Sequence, residues 1–369
     1  MNRILIISKG YPFYGGQSTT AYNLHLFLNS KNIDSKLLML NDFYGFRDIN
    51  HKKNEDRIKS SSLGKLKYRL LKMLTLITGN HYFRLLLKVI PAVKVIRRLL
   101  IVTHVKIYLK KTKFSPDLVI CNTSALYEDI HKWFNKSIII VGTNLLFYRE
   151  LENKNGSLPK SLIRNLNKSV LIFNSELTRR IYVDAGVNMF NSSVCYFNFT
   201  PYAYGYSKGF ETRKYDIAFV SSIFNRKIKN AKLSYSLFNN FSDSNKIAIG
   251  SGSESFRDIK NTAIMRLVSQ KEIAEVLSET KLLIITSYFD SSPSILSEAV
   301  LNGCNVLASK NVGWHEVLNT KCVIEDYENK DEWVSKMKYL IDNKVENNIE
   351  TQYKDIFLAK LINLSNDQI

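Results

Sequence analysis

Apolar residues in this chain fall into short continuous runs, and between the runs they recur at helical spacing. Ile4-Leu5-Ile6-Ile7-Ser8 is the first run. It ends in Lys9-Gly10-Tyr11-Pro12-Phe13-Tyr14-Gly15-Gly16, after which Ala21, Leu24, Leu26, Phe27 and Leu28 share a helical spacing. The pattern predicts a strand, a glycine turn and a helix. Lys36–Leu40, Asp117–Cys121, Ile138–Val141 and Val170–Phe173 are further strand candidates, the last running into a helix start at Ser175-Glu176-Leu177-Thr178. Apolar strands alternating with helices indicate a parallel sheet covered on both faces. The pattern restarts at Tyr215–Val220 and continues through Lys246–Gly250, Leu282–Ile285 and Asn305–Ala308, with Leu233, Leu237 and Phe238 marking a helix in between.

These runs predict an α/β chain with two doubly wound, Rossmann-like domains. The first spans 1–205 and carries a basic amphipathic insert at 57–116. The second spans 206–346, with Pro201 to Gly209 as linker, and the stretch 347–369 supplies a helix, from about Asn347 to Leu364, that crosses back to the first domain. A length of 369 residues agrees with two cores, since one domain holds on the order of 100–200 residues.

Composition narrows the setting. With 45% hydrophobic and 23% charged residues the chain is globular. Cys121, Cys195, Cys304 and Cys322 lie far apart without metal-ligand spacing, and Met1-Asn2-Arg3 leads straight into the first apolar run. A disulfide framework, a structural zinc and a secretory leader are therefore not expected, and a reducing cytoplasm is. No uncharged apolar run approaches the roughly 20 residues that span a bilayer. His25, His51, His81, His104, His131 and His315 show no metal spacing either.

Charge adds a partner. The net charge is +19, and between Arg57 and Pro116 fifteen lysines and arginines stand without one acid. Such a block implies an anionic partner, nucleic acid or an acidic lipid surface. Leu66, Leu70, Leu71, Leu74, Leu85, Leu86, Val89, Ile90, Val93 and Ile96 lie among the charges. Aromatics are sparse and no base-reading motif is present, so the block reads as an interfacial membrane segment rather than a nucleic-acid site.

The stretch Thr286 to Ser309 carries the chemistry. A strand delivers Asp290, the turn Ser291-Ser292-Pro293 opens a helix with Ser292 as its expected cap, and Glu298 follows on that helix. The helix start would aim free amides at an anion, together with Ser291, Ser292 and Ser294. A carboxylate behind it offers two acceptors to vicinal ribose hydroxyls. Two acids at this spacing in isolation are ordinary surface charge; the strand, the turn and the following Ala299-Val300-Leu301-Asn302-Gly303 change that reading.

This stretch resembles the signature of the group 1 glycosyltransferases of the bacterial surface-polysaccharide type, retaining enzymes of the GT-B fold, in which two acids are separated by seven positions and the second opens Glu-Ala-x-x-x-Gly. Asp290 and Glu298 match, with Asp in place of the usual Glu. The likeness covers most of the chain. Phe219-Val220-Ser221-Ser222 followed by Lys229-Asn230-Ala231-Lys232-Leu233 is similar to the family's strand, loop and lysine-led helix, which implies that Lys229 meets the donor phosphates, with Arg226 and Lys227 beside it. Ile249-Gly250-Ser251-Gly252-Ser253 resembles the Gly-x-Gly turn, Lys310 to Glu316 the glycine turn after the last core strand, and Gly15-Gly16 the paired glycines that approach the donor. Two positions depart: Ser222 stands where the family often has Arg, and Gly142-Thr143-Asn144 where it often has His, leaving Asn144 as a substitute on the acceptor side.

The resemblance implies two domains facing a central cleft and a retaining transfer of a sugar from a nucleoside-diphosphate sugar, UDP-linked, to a glycan or to a polyprenyl- or glycolipid-linked acceptor in surface polysaccharide or lipopolysaccharide biosynthesis. Lys229, Asp290 and Arg226 would be catalytic. Gly15, Gly16, Lys227, Ser291, Ser292, Ser294 and Glu298 would bind the donor, and no metal or other cofactor is required. The expected location is the cytoplasm, peripheral on the inner face of the cell membrane, without nucleic acid. The other readings are a sugar-nucleotide epimerase or phosphorylase on the same double fold, which would need further catalytic acids and histidines, and a basic nucleic-acid-binding protein.

Overall fold

A computed structural model describes residues 3–9, 16–40, 46–47, 91–122, 130, 133–134, 137–141, 160–188, 190, 192–196, 202, 209–266, 268–347 and 352–366. The first sheet contains β1 (Arg3–Lys9), β2 (Asp34–Leu40), β3 (Phe46–Arg47), β4 (Leu118–Cys121), β5 (Ser137–Val141), β6 (Val170–Phe173) and β7 (Ser192–Val194) in the order β3-β2-β1-β4-β5-β6-β7. All its pairings are parallel except β2 with the two-residue β3. The second sheet is parallel throughout, with β8 (Tyr215–Ile223), β9 (Lys246–Ser251), β10 (Thr262–Met265), β11 (Thr280–Ile285), β12 (Asn305–Ser309) and β13 (Val323–Ile324) in the order β10-β9-β8-β11-β12-β13.

The apolar runs are strands because both faces are covered. Alternate residues of β1 go to opposite sides, as the period of two requires. Leu5 and Ile7 join Val119, Ile139, Leu171 and Phe173 in one buried cluster, closed by Val102 and Val105 of helix α2 (Pro91–Thr112). Ile4 and Ile6 join Ile120, Ile138 and Ile172 in another, under Ala21, Leu24 and Leu28 of α1 (Gly16–Ser30). Between α2 and β7 lie α3 (Lys160–Leu166) and α4 (Glu176–Asp184).

The second sheet packs into one core with α5 (Ala231–Asn239), α6 (Gln270–Ser278), α7 (Ser294–Leu301) and α8 (Lys330–Asp342). The last helix, α9 (Gln352–Asn366), leaves this core. Its Phe357 and Leu361 are fully buried in the cluster under α1, and Asp355 pairs with Lys31 at 3.4 Å.

The structure revises three details of the sequence reading. β4 starts at Leu118, one residue later than expected, and α9 runs from Gln352 rather than from about Asn347. The apolar residues of α2 from Ile101 to Leu109 mostly face the core, with Lys106, Lys110, Lys111 and Lys113 exposed. That span is amphipathic toward its own sheet, and of its apolar side chains only Ile107 is an exposed large one. Residues 57–90, most of the expected linker, and Gly15, Gly142, Thr143 and Asn144 lie outside the described residues.

Candidate active site

In a wound sheet the strand order reverses where two neighbouring strands send their connections to opposite sides, and the loops leaving their carboxyl ends frame a crevice. In the second sheet that point lies between β8 and β11. Lys229 arrives on the loop after β8 and Asp290 on the loop after β11.

Lys229 ends a 3₁₀ turn, Lys227–Lys229, and Asn230 follows in the left-handed conformation (φ 46°). Asn230 tolerates this geometry and uses its side-chain oxygen to accept the Leu233 N–H, capping α5. Its amide nitrogen donates to the Tyr327 hydroxyl at 2.5 Å, and that hydroxyl donates to the Thr286 carbonyl at 2.8 Å. The Tyr288 N–H donates to the Ile228 carbonyl at 2.9 Å. The two loops are thus laced together, and the Lys229 ammonium forms an ion pair with Asp290 Oδ2, the side chains 21% and 18% exposed. Sequence reading had placed these groups on separate parts of the donor; the fold sets them against each other.

Asp290 is fixed through its backbone. Its N–H donates to the Asn311 carbonyl (3.2 Å), its carbonyl accepts from Gly313 N–H (2.7 Å), and the segment forms a parallel bridge with Val312. Gly313 is required there, because a Cβ would lie 1.9 Å from the Ser291 carbonyl oxygen. Gly250 has a similar reason: at φ 140° its Cβ would fall 1.6 Å from the Ser221 carbonyl oxygen, so β9 could not lie against β8.

Pro293, not Ser292, is the N-cap of α7, and no side chain caps the helix. The Ser292 amide instead points at Asp290 Oδ1, 3.4 Å away. The Leu296 N–H turns back to the Pro293 carbonyl at 3.0 Å, which leaves the Ser294 and Ile295 amides with their capacity to meet an anion. Ser291 and Ser292 are half-buried beside them and Ser294 is exposed. One turn on, Glu298 is buried, and burial alone pushes its carboxyl from 4.5 up to about 7. Arg226 and Lys227 are exposed on the loop that carries Lys229, and the ion pair to Asp290 is made by Lys229. Gly16 opens α1, the helix that follows β1 and packs on the first sheet.

Sequence reasoning missed Tyr327 and the residues that join this loop to the first sheet's unit: Ser175 on that unit's side, and Trp314 and Glu316 reaching across from the second. Tyr327 carries no motif, and only its partners give it a role. Among the described residues no group of three or more His, Cys, Asp or Glu could hold a metal ion.

No family model matches the sequence, and no curated protein matches it. Solved structures do share the fold. The chain is similar to the lipopolysaccharide outer core galactosyltransferase WaaB in its apo form, with TM-score 0.61 over 98% of this chain and 99% of that one, at 14% identity. It is similar to Anabaena HepE in complex with UDP and glucose (TM-score 0.58, 98% and 100% covered, 12% identity). It is also similar to WaaG, a glycosyltransferase involved in lipopolysaccharide biosynthesis (TM-score 0.56, 99% and 95% covered, 10% identity). The architecture is GT-B.

Proposed function

We propose that this GT-B chain is a retaining glycosyltransferase that moves a sugar from a nucleoside-diphosphate sugar, UDP-linked, onto a glycan or lipid-linked acceptor of a bacterial surface polysaccharide. One observation carries the reading. Lys229 and Asp290 meet at the carboxyl edge of the second sheet's switch point, with an uncapped helix start beside them and the buried Glu298 one turn behind.

The donor diphosphate lies against Lys229, Arg226 and Lys227 and the first-turn amides after Ser291 and Ser292. An ammonium has three N–H donors, so Lys229 holds Asp290 with one and keeps two for phosphate oxygens. Asp290 takes the hydroxyls of the donor sugar and Glu298 those of the ribose. The bond between the anomeric carbon and the diphosphate breaks with its electron pair leaving on phosphate oxygen. The acceptor hydroxyl oxygen bonds to the same face of that carbon, and the departing phosphate takes its proton. The barrier is a separation of charge, which preorganised cations and amides lower without solvent reorganisation. The family resemblance assigns Gly15 and Gly16 to the first domain's approach to the donor and Asn144 to the acceptor side; Gly15 and Asn144 lie outside the described residues.

The UDP and glucose held by HepE, and the lipopolysaccharide roles of WaaB and WaaG, support donor and pathway class. No described helix is long and apolar enough to cross a membrane. The basic insert holds the enzyme peripherally on the anionic inner face of the cell membrane, where a polyprenyl- or glycolipid-linked acceptor is presented. No metal takes part, so full activity in chelator is expected.

A calorimetric screen of UDP-, GDP- and ADP-sugars, followed by transfer assays, tests the reading. Lys229→Ala should lower kcat about a hundredfold. Glu298→Gln should raise the donor KM about tenfold through one lost charged hydrogen-bond acceptor. Wild-type transfer by both variants would sink the site assignment.

A further inference from the structure

The loop that carries Asp290 is held from two sides, and one of them belongs to the first sheet's unit. Ser175 N-caps α4: its Oγ accepts the Thr178 N–H at 3.1 Å. The same hydroxyl donates to the carbonyl of Ser291, 2.7 Å away, the residue directly after Asp290. The next unpaired amide of the α4 first turn, Leu177 N–H, donates to Glu316 Oε1 at 2.6 Å. A carboxylate from the second unit therefore completes the N-terminus of a helix in the first, where helix dipole and open amides favour an anion.

Trp314 reinforces the junction. Its indole N–H donates to the Asn174 carbonyl at 2.7 Å, and its ring meets Tyr196 edge-on at 5.8 Å. It does so from a left-handed backbone (φ 78°), a conformation that a bulky residue adopts only when its surroundings enforce it. Gly313 leaves no slack, since a Cβ there would lie 2.6 Å from Ser175 Oγ as well as against Ser291. Glu316 Oε2 is buried without a hydrogen-bond partner. The neighbouring His315 Nδ1 lies 3.8 Å from it and 2.8 Å from the Val312 carbonyl. A carboxylate desolvated in this way serves the Leu177 amide and not the solvent.

We infer that Ser175 and Glu316 are positioning residues for the transfer reaction: a clamp between the two units that sets where the Asp290 loop stands when Lys229 and the donor meet it. The inference rests on the glycosyltransferase reading for its consequence and on the hydrogen bonds alone for its existence. Neither residue touches the proposed donor. Loss of the clamp should therefore leave nucleotide affinity in place and lower the rate.

The experiment compares the full-length protein with its Ser175→Ala, Glu316→Ala and Glu316→Gln variants. Gln keeps an acceptor for Leu177 N–H and serves as the rescue. Amide hydrogen exchange is read first. Ser175→Ala should speed exchange across 290–292, in the other unit, and Glu316→Ala should speed it at Leu177. Unchanged exchange at 290–292 in Ser175→Ala overturns the clamp, whatever the activity. Kinetics follow: kcat should fall tenfold or more in both alanine variants, with UDP affinity by calorimetry within twofold of wild type and with Glu316→Gln restoring most of the rate. If UDP affinity and melting temperature fall in step with kcat and Gln rescues nothing, the residues hold the fold and do not position the reaction. If the wild type binds no nucleotide, the glycosyltransferase reading fails while hydrogen exchange still decides the clamp.

Discussion

A carboxyl group on α7 shows how one residue couples stability to binding. Burial holds Glu298 at about 7 where the unfolded chain would have 4.5, so between these values the folded protein binds a proton that the unfolded chain has released. Stability must then fall as pH rises across that window, by on the order of 3 kcal/mol once the group is ionised. Ribose hydroxyls, in the proposed binding mode, would reverse the preference, because they would donate to an ionised carboxylate and lower its pKa. Donor binding should release a proton near pH 6.5 and tighten as pH rises from 6 to 8. Calorimetry in buffers of different ionisation enthalpy measures both effects, and Glu298→Gln should flatten them. A pH-independent affinity in the wild type would remove Glu298 from the ribose. Asp290 and Glu298 were legible because their spacing and the Ala-x-x-x-Gly tail sit in one continuous stretch. The ion pair of Lys229 with Asp290 was not, because it joins loops 61 residues apart that only the strand order brings together.

At the scale of elements, the strands read most clearly were β1, β2, β5, β6, β8, β9, β11 and β12, whose buried apolar runs leave a helix little to recommend it. The edge strands β3, β7, β10 and β13 escaped, being two to four residues long. At the edge of a sheet one neighbour is missing, and so is the selection for apolar residues that neighbour would impose. Helix α7 was read with the wrong cap because Ser292 is a good capping residue by type, yet Pro293 holds the position and the Ser292 amide turns to Asp290. Helix α9 was expected to return to the first unit, and Phe357 in the cluster under α1 is the packing that favours it. Phe357→Ala would leave a cavity between α9 and that sheet and should destabilise the protein by about 3–5 kcal/mol. Urea denaturation with a probe in each unit checks this. Loss below about 1 kcal/mol would mean that α9 rests on the sheet without contributing to its core.

Across the whole molecule, the net charge of +19 is concentrated rather than spread. The described end of the basic block shows how it is displayed. Val102 and Val105 of α2 are buried against the first sheet, and Lys106, Lys110, Lys111 and Lys113 are left outside. The Lys106 ammonium sits 4.0 Å over the ring of Trp133, which is 49% exposed. An indole under a cation suits the headgroup layer, where the ring lies at the interface and the Lys106 cation meets phosphate. Because the apolar side of this span already packs on the core, the proposed membrane contact is electrostatic rather than insertion. Each basic residue near an acidic leaflet contributes about 1 kcal/mol, so four contribute about 4 kcal/mol, and the attraction decays within a Debye length of about 8 Å at physiological salt. Co-sedimentation with phosphatidylserine-containing vesicles should therefore be strong at 50 mM salt and weak at 500 mM, and absent with neutral vesicles. Changing Lys106, Lys110, Lys111 and Lys113 to Glu should lower anionic-vesicle binding at least tenfold while UDP affinity stays at the wild-type value. If the charge-reversed protein binds anionic vesicles as well as the wild type, this face does not meet the membrane. Retained donor hydrolysis with lost transfer to a vesicle-borne acceptor would place the block on the acceptor's side of the reaction.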